Sequence, residues 1–220
     1  MDGLAPGDAE GREGACAGPR RPPPCSRVSK VREQLLLGGL GGGLSQKAAE
    51  LLLQEHAVTH LLLCGHRDQD PHVAVAEAAA EACDAEVHVA PLVPKDPSEL
   101  PGILQAACDF LGAALEDELN NVLVACSKGA SRSVAVMLAY LISEEQLSLE
   151  GAFRSVAAAR WRVWPSAMLV EALLAREAER LAARGLPPAG DAARAGVCRS
   201  LGSHAAWATA WHNGVEAASE

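Results

Sequence analysis

Val122-Leu-Val-Ala-Cys-Ser-Lys-Gly-Ala-Ser-Arg-Ser133, continuing as Val134-Ala-Val-Met-Leu-Ala-Tyr-Leu-Ile142, reads as a strand, a tight loop and a helix in that order. Val122, Leu123 and Val124 form a short β-prone run after the turn residues Asn120 and Asn121. Val134, Met137, Leu138, Leu141 and Ile142 recur at helical spacing. Between the two elements stand Cys126, five residues and Arg132. A cysteine at a strand–loop–helix junction faces the positive end of the helix dipole and the free amides of the first turn. Both favour its thiolate, the nucleophilic form. A cysteine of pKa ~8.5 is brought to roughly 3.5–7.5 in such surroundings.

The intervening residues, Ser127, Lys128, Gly129, Ala130 and Ser131, are suited to wrap their amides inward as an anion nest, with Gly129 relieving the backbone at mid-turn. Arg132 follows where its planar fork can reach two phosphate oxygens. A nucleophile beneath a phosphate seat, with a cation at its side, is what phosphoryl transfer requires.

Outward from this stretch the chain alternates. Val28 to Leu37 is an extended lead-in, closed by Gly38-Gly39. Gly41-Gly42-Gly43 lacks the context of a dinucleotide site and reads as a flexible turn. Ser45 caps a helix over 46–55, with Ala48, Leu51, Leu52 and Leu53 toward its buried side. Strand patterns follow at Val58–Cys64 and Val87–Val93, separated by an alanine-rich helix over Val73–Cys83. Cys64, His66, Asp68, Asp70 and His72 match no common metal spacing and read as a strand end and polar loop. Pro94-Lys-Asp-Pro-Ser98 is a loop, with Ser98 capping a helix that runs to about Glu116. Two helices close the pattern, from Ser148 to Ala159 and from about Ser166 to Ala183. Alternating strands and helices predict an α/β fold: a mostly parallel sheet of four to five strands, with helices on both faces. Ligands of such sheets lie at the carboxyl ends of the strands, where Cys126 falls.

Composition sets bounds. Of 220 residues, 49% are hydrophobic, which supplies a core, and few are aromatic, so that core is rich in small residues. A formal net charge of −9 argues against nucleic-acid binding. Seven cysteines without a framework point to a reduced, intracellular chain, and no apolar run reaches transmembrane length. Residues 1–27, with Arg20-Arg-Pro-Pro-Pro24, read as a disordered, solvated tail. Residues 185–220 read as a weakly ordered tail in which Trp207 and Trp211 share one helical face.

The segment from Val122 to Ile142 resembles the active-site segment of the dual-specificity protein phosphatases, in the cysteine-based tyrosine phosphatase superfamily. Ser131-Arg-Ser133 and Ala139-Tyr-Leu141 carry the likeness beyond a bare Cys-x5-Arg. Leu35-Leu-Leu-Gly-Gly-Leu40, Val58-Thr-His-Leu-Leu-Leu63, Leu147-Ser-Leu-Glu-Gly-Ala-Phe153 and Pro165-Ser-Ala-Met-Leu-Val-Glu-Ala-Leu173, with Glu177, extend it over residues 28–184; Asp70 to Val89 diverges.

The resemblance implies an atypical dual-specificity phosphatase acting on phosphotyrosine and phosphoserine/threonine without metal or cofactor. Cys126 would attack phosphorus, Arg132 and the amides of 127–131 would hold its oxygens, and Ser133 would steady the thiolate as the leaving group of the second step. Asp96, the one carboxylate in Pro91–Ser98, would protonate the leaving oxygen, although unbroken alignment sets the family's acid at Pro94 or Lys95. The family's histidine before the nucleophile is Ala125 here, and its asparagine after proline is Ser166. Those departures keep a second expectation open: a pseudophosphatase binding a phosphoprotein or a signalling kinase without efficient turnover. Either reading expects a cytoplasmic location, or also a nuclear one.

Overall fold

The computed structural model describes residues 27–92 and 96–187. The tail readings at 1–26 and 188–220, including Trp207 and Trp211, and the positions Val93, Pro94 and Lys95 lie outside these.

The Val122–Cys126 run forms the central strand, because all five of its residues are buried and both its edges are occupied. Five strands are present among the described residues: β1 (Val28–Lys30), β2 (Leu35–Gly39), β3 (His60–Cys64), β4 (Glu86–Ala90) and β5 (Val122–Cys126). Their order is β1-β2-β5-β3-β4, parallel throughout except for the antiparallel β1–β2 pair. The extended lead-in is thus two strands, and one of them reverses. Leu35 sits opposite Val122, and Gly39 opposite Cys126.

Side chains alternate across the sheet, so each strand feeds two cores. Leu35, Leu37, Leu62, Cys64, Val122, Val124 and Cys126 share one cluster with residues of α3 (Leu100–Ala114), α4 (Arg132–Ser143), α5 (Leu149–Ala159) and α6 (Ala167–Ala183). Leu36, Leu61, Leu63, Leu123 and Ala125 face α1 (Gln46–Glu55) and α2 (Pro71–Ala82) on the other side. Helix α4 is buried from Ser133 through Ala139 and again at Leu141 and Ile142, which holds its N-terminus against the end of β5.

Local details differ from the sequence reading at several points, among them β4, which spans Glu86–Ala90 rather than Val87–Val93. Leu51 is exposed, and Ala49, Leu52 and Leu53 form the buried stripe of α1. Ser98 does not cap α3: Asp96 accepts from the Ser98 amide at 2.9 Å and opens a single 3-10 turn, Pro97–Glu99, ahead of it. Gly41 is a close-packing position rather than a flexible one. Its amide donates to the Ser127 carbonyl at 2.8 Å, and a Cβ there would lie 2.7 Å from that same oxygen. The cap at Ser45 forms as expected, accepting from the Ala48 amide, and Ser148 caps α5 in the same way, accepting from the Gly151 amide.

Candidate active site

Residues Cys126 to Arg132 wrap at the carboxyl end of β5, where the sheet ends and α4 begins. Gly129 carries the turn at φ +62°, a conformation open to glycine at little cost. Its amide donates to Cys126 Sγ at 3.2 Å, and Ser133 Oγ lies 3.1 Å from the same sulfur. Cys126 is 2% exposed. Burial pushes the Cys126 thiol up, but the Ser133 hydroxyl and the amides of Ser133, Ala130 and Gly129 outweigh it, and the pKa is lowered overall. The loop therefore depresses the cysteine with its own donors, without a side chain from position 125. Ala125 points to the opposite face, among Leu61, Leu63 and Leu123.

The loop is held from outside by three segments. Leu40 and Gly41 at the end of β2 donate to the carbonyls of Cys126 and Ser127 at 2.9 and 2.8 Å. Arg160, 6% exposed, donates from Nε to the Gly129 carbonyl at 2.6 Å and from Nη1 to Ser29 Oγ at 3.1 Å. The Trp164 amide donates to the Ala130 carbonyl at 2.6 Å, and the Ser166 amide to Ser131 Oγ at 3.2 Å. Position 166 thus supports the loop through its backbone. Carbonyls tied outward leave the loop amides turned toward the sulfur, which is the arrangement an anion seat needs.

Arg132 begins α4 and donates from Nη1 to Asp70 Oδ2 at 2.7 Å. Burial would lower its pKa, but the hydrogen bond and charge of Asp70, with charge at Cys126, raise it. Lys128 is exposed on the rim. A depression of about 460 Å³ beside it is lined by Arg27, Arg160, Arg162, Ser127 and glycines 39, 41 and 42, with no carboxylate among its lining residues.

Of the residues singled out in the sequence, Cys126, Ser127, Lys128, Gly129, Ala130, Ser131, Arg132 and Ser133 form one continuous junction from the end of β5 to the first turn of α4. Asp96 opens the 3-10 turn ahead of α3, exposed and bound to the Ser98 amide, which holds its carboxyl below the usual range. Sequence reading missed Asp70 and Arg160. Asp70 reads in the sequence as part of a polar loop with no partner near in the chain, and Arg160 as one more charge at a helix end.

The family model described as the dual specificity phosphatase catalytic domain matches residues 44–179. The rat dual specificity protein phosphatase 5 is 31% identical over 115 residues, covering 51% of this chain and 30% of that protein. Of the curated relatives compared, the Arabidopsis phosphatase PHS1 is 29% identical over 64% of this chain and 14% of its own length. The chain therefore spans less than a third of the length of these two relatives. Human DUSP28 superposes with a TM-score of 0.54 at 28% identity, covering 71% of this chain and 97% of that one. A mouse putative dual specificity phosphatase, solved as a complex with zinc tungstate, gives 0.55 at 27%, covering 80% and 100%. Fold and family match agree, and the chain belongs to the dual specificity phosphatase catalytic-domain family.

Proposed function

We propose that residues 28–184 form an atypical dual-specificity protein phosphatase domain that hydrolyses phosphoprotein through a cysteinyl-phosphate intermediate. The observation that carries this reading is Cys126 Sγ, buried and hydrogen-bonded to the Gly129 amide and Ser133 hydroxyl at the head of the Arg132 helix.

In the first step the Cys126 thiolate forms an S–P bond as the P–O bond to the protein side chain breaks. The equatorial oxygens lie on the amides of 127–131 and on Arg132. In the second, water attacks phosphorus, the S–P bond breaks, and Ser133 steadies the returning thiolate. We assign proton donation to Asp96. Its hydrogen bonds from Ser98 favour the ionised carboxylate, so only a small fraction carries the proton to be donated near neutral pH. Leaving groups that need little protonation are therefore favoured, and phosphotyrosine is cleaved faster than phosphoserine or phosphothreonine.

The same observation on Asp96, with Ala125, favours a second reading: a pseudophosphatase that holds phosphoproteins or a signalling kinase. One experiment separates the two. Phosphate release from an aryl phosphate is measured across pH for wild type and Cys126→Ser. Turnover in wild type, abolished in the variant, is expected. Equal inertness with retained phosphopeptide binding would leave the pseudophosphatase.

Asp96→Asn is expected to cost less with the aryl phosphate than with a phosphoserine peptide. Equal losses on both would remove Asp96 from proton donation. No helix among the described residues is long and apolar enough to cross a membrane. The reduced thiols Cys64, Cys83, Cys108 and Cys126 fit a cytoplasmic, or also nuclear, location.

A further inference from the structure

The divergent segment after β3 reaches into the phosphate loop. Asp70 precedes the first turn of α2, where an aspartate ordinarily turns its carboxylate onto the helix's free amides. It makes no such bond. Its Oδ2 instead accepts from Arg132 Nη1 at 2.7 Å and from the His66 amide at 2.9 Å, and His72 Nδ1 lies 3.8 Å from Oδ1. The partners are 62 residues apart, and their side chains are 18% and 21% exposed.

Gly65 makes room for this arrangement. A Cβ there would lie 2.9 Å from Asp70 Oδ2 and 3.0 Å from Val73. Asp70 borders a depression of about 280 Å³ that also reaches Gly41 after β2 and Ser127 of the phosphate loop.

We propose that Asp70 is a positioning residue for Arg132: it fixes the guanidinium at the flank of the loop so that the remaining donors meet an incoming oxyanion. Arginine has five N–H donors, and Asp70 engages Nη1, leaving Nε and Nη2 for two oxygens in the fork geometry that phosphate prefers. A half-buried guanidinium with no counter-charge would swing toward solvent whenever the seat is empty. The carboxylate prevents this and spares each binding event the cost of reordering a long side chain. That use explains why the helix forgoes its cap. The inference rests on the phosphate-seat reading of the Cys126–Arg132 loop.

The test uses the full chain and inorganic tungstate as the probe. Equilibrium affinity, kcat and KM on an aryl phosphate, and Tm are measured for wild type, D70A, D70N, D70E, R132A and D70A/R132A. Expected for D70A is a loss of tungstate affinity and of kcat/KM, reaching on the order of a hundredfold for a misplaced catalytic cation. D70N falls between, and D70E recovers most of the loss. The double variant should lose no more than R132A alone, because a residue acting only through Arg132 has nothing left to position.

Gly65→Ala keeps the carboxylate but pushes it aside, and should weaken tungstate in the same direction. Should D70A fail to fold, D70N, D70E and Gly65→Ala still decide the matter. Unchanged or tighter tungstate binding in D70N, or losses that add in the double variant, would overturn the proposal while leaving the seat intact. An R132A protein binding tungstate like wild type would instead remove the seat, and this inference with it. Tungstate binding needs no turnover, so the outcome is independent of how fast the chain hydrolyses anything.

Discussion

At the residue scale the question is what Ala125 costs. The resemblance puts a histidine at that position, which would supply a donor to order the loop; alanine has none. Here the Cys126 thiol is nevertheless lowered, by Ser133 and three loop amides acting against burial. The loop's own donors therefore come first, and a side chain at 125 can only add to them. Ala125→His is expected to move the rise of the pH–rate profile to lower pH. It should also lower stability by ~1–3 kcal/mol, since Ala125 is fully buried among leucines and an imidazole overpacks the site. A lower Tm with an unmoved profile would mean that the loop alone sets the thiolate. Arg160→Met tests the other support. It keeps bulk but removes the donor to Gly129 O, leaving a buried carbonyl unpaired. Expected are a loss of ~1–3 kcal/mol in stability and a larger proportional fall in kcat/KM than in Tm-related activity loss, read from kinetics well below Tm. The junction that holds Cys126 and Arg132 was legible in the sequence because a strand, a glycine turn and a helix start are local signals. Asp70 and Arg160 were not, because their roles depend on contacts made across 62 and 31 residues.

At the element scale, legibility followed how local the cause is. Ser45 and Ser148 cap their helices through an amide three residues on, a bond settled within one turn. Ser98 was misread because Asp96 competes for the same turn and takes the Ser98 amide itself. Leu51 was misread because three successive leucines, 51 to 53, cannot all face one side, and only packing against the sheet decides which is left out. The joint between α5 and α6 was visible only as a family likeness. Its physical content is Glu177, 5% exposed, whose Oε1 accepts from the Leu149 amide at 2.8 Å in the first turn of α5. Glu177→Ala removes that acceptor and is expected to cost ~1–3 kcal/mol, or several degrees in Tm for a domain of this size. Glu177→Gln keeps an acceptor oxygen and should cost less. Equal Tm losses in both would show that the charge, not the hydrogen bond, joins the helices.

At the scale of the whole molecule, the alternation of strands and helices announced a parallel α/β sheet, but strand order and the reversal of β1 follow from which edges pair, which no periodicity encodes. The assembled fold also sets a pH window that no single element shows. Burial lowers the pKa of His72, with Asp70 opposing and Arg132 assisting; burial and Arg67 lower that of His88, stacked 5.2 Å from Phe110. A folded pKa below the unfolded one means that the folded chain holds fewer protons, so stability is complete above about pH 6.5 and declines as pH falls below it. Asp70 adds a second acid limb. Burial alone would raise it, but Arg132, the His66 amide and His72 leave it lowered, and its contribution disappears as pH falls below ~4. On the alkaline side the sign reverses. Burial pushes Cys108 up to about 11, and Cys64 well above its ordinary value, so the folded chain holds protons that the unfolded chain releases from about pH 8.5. Cys126, lowered in the folded chain, adds stability as pH rises toward about 8.5, so urea midpoints measured from pH 3 to 10 should climb to a plateau just below that pH and fall on both sides with a constant m-value. His88→Leu should flatten the limb below pH 6.5, D70N the limb below pH 4, and Cys108→Ala the alkaline limb. A variant that lowers the plateau but leaves its limb as steep as wild type would detach that residue from the titration assigned to it.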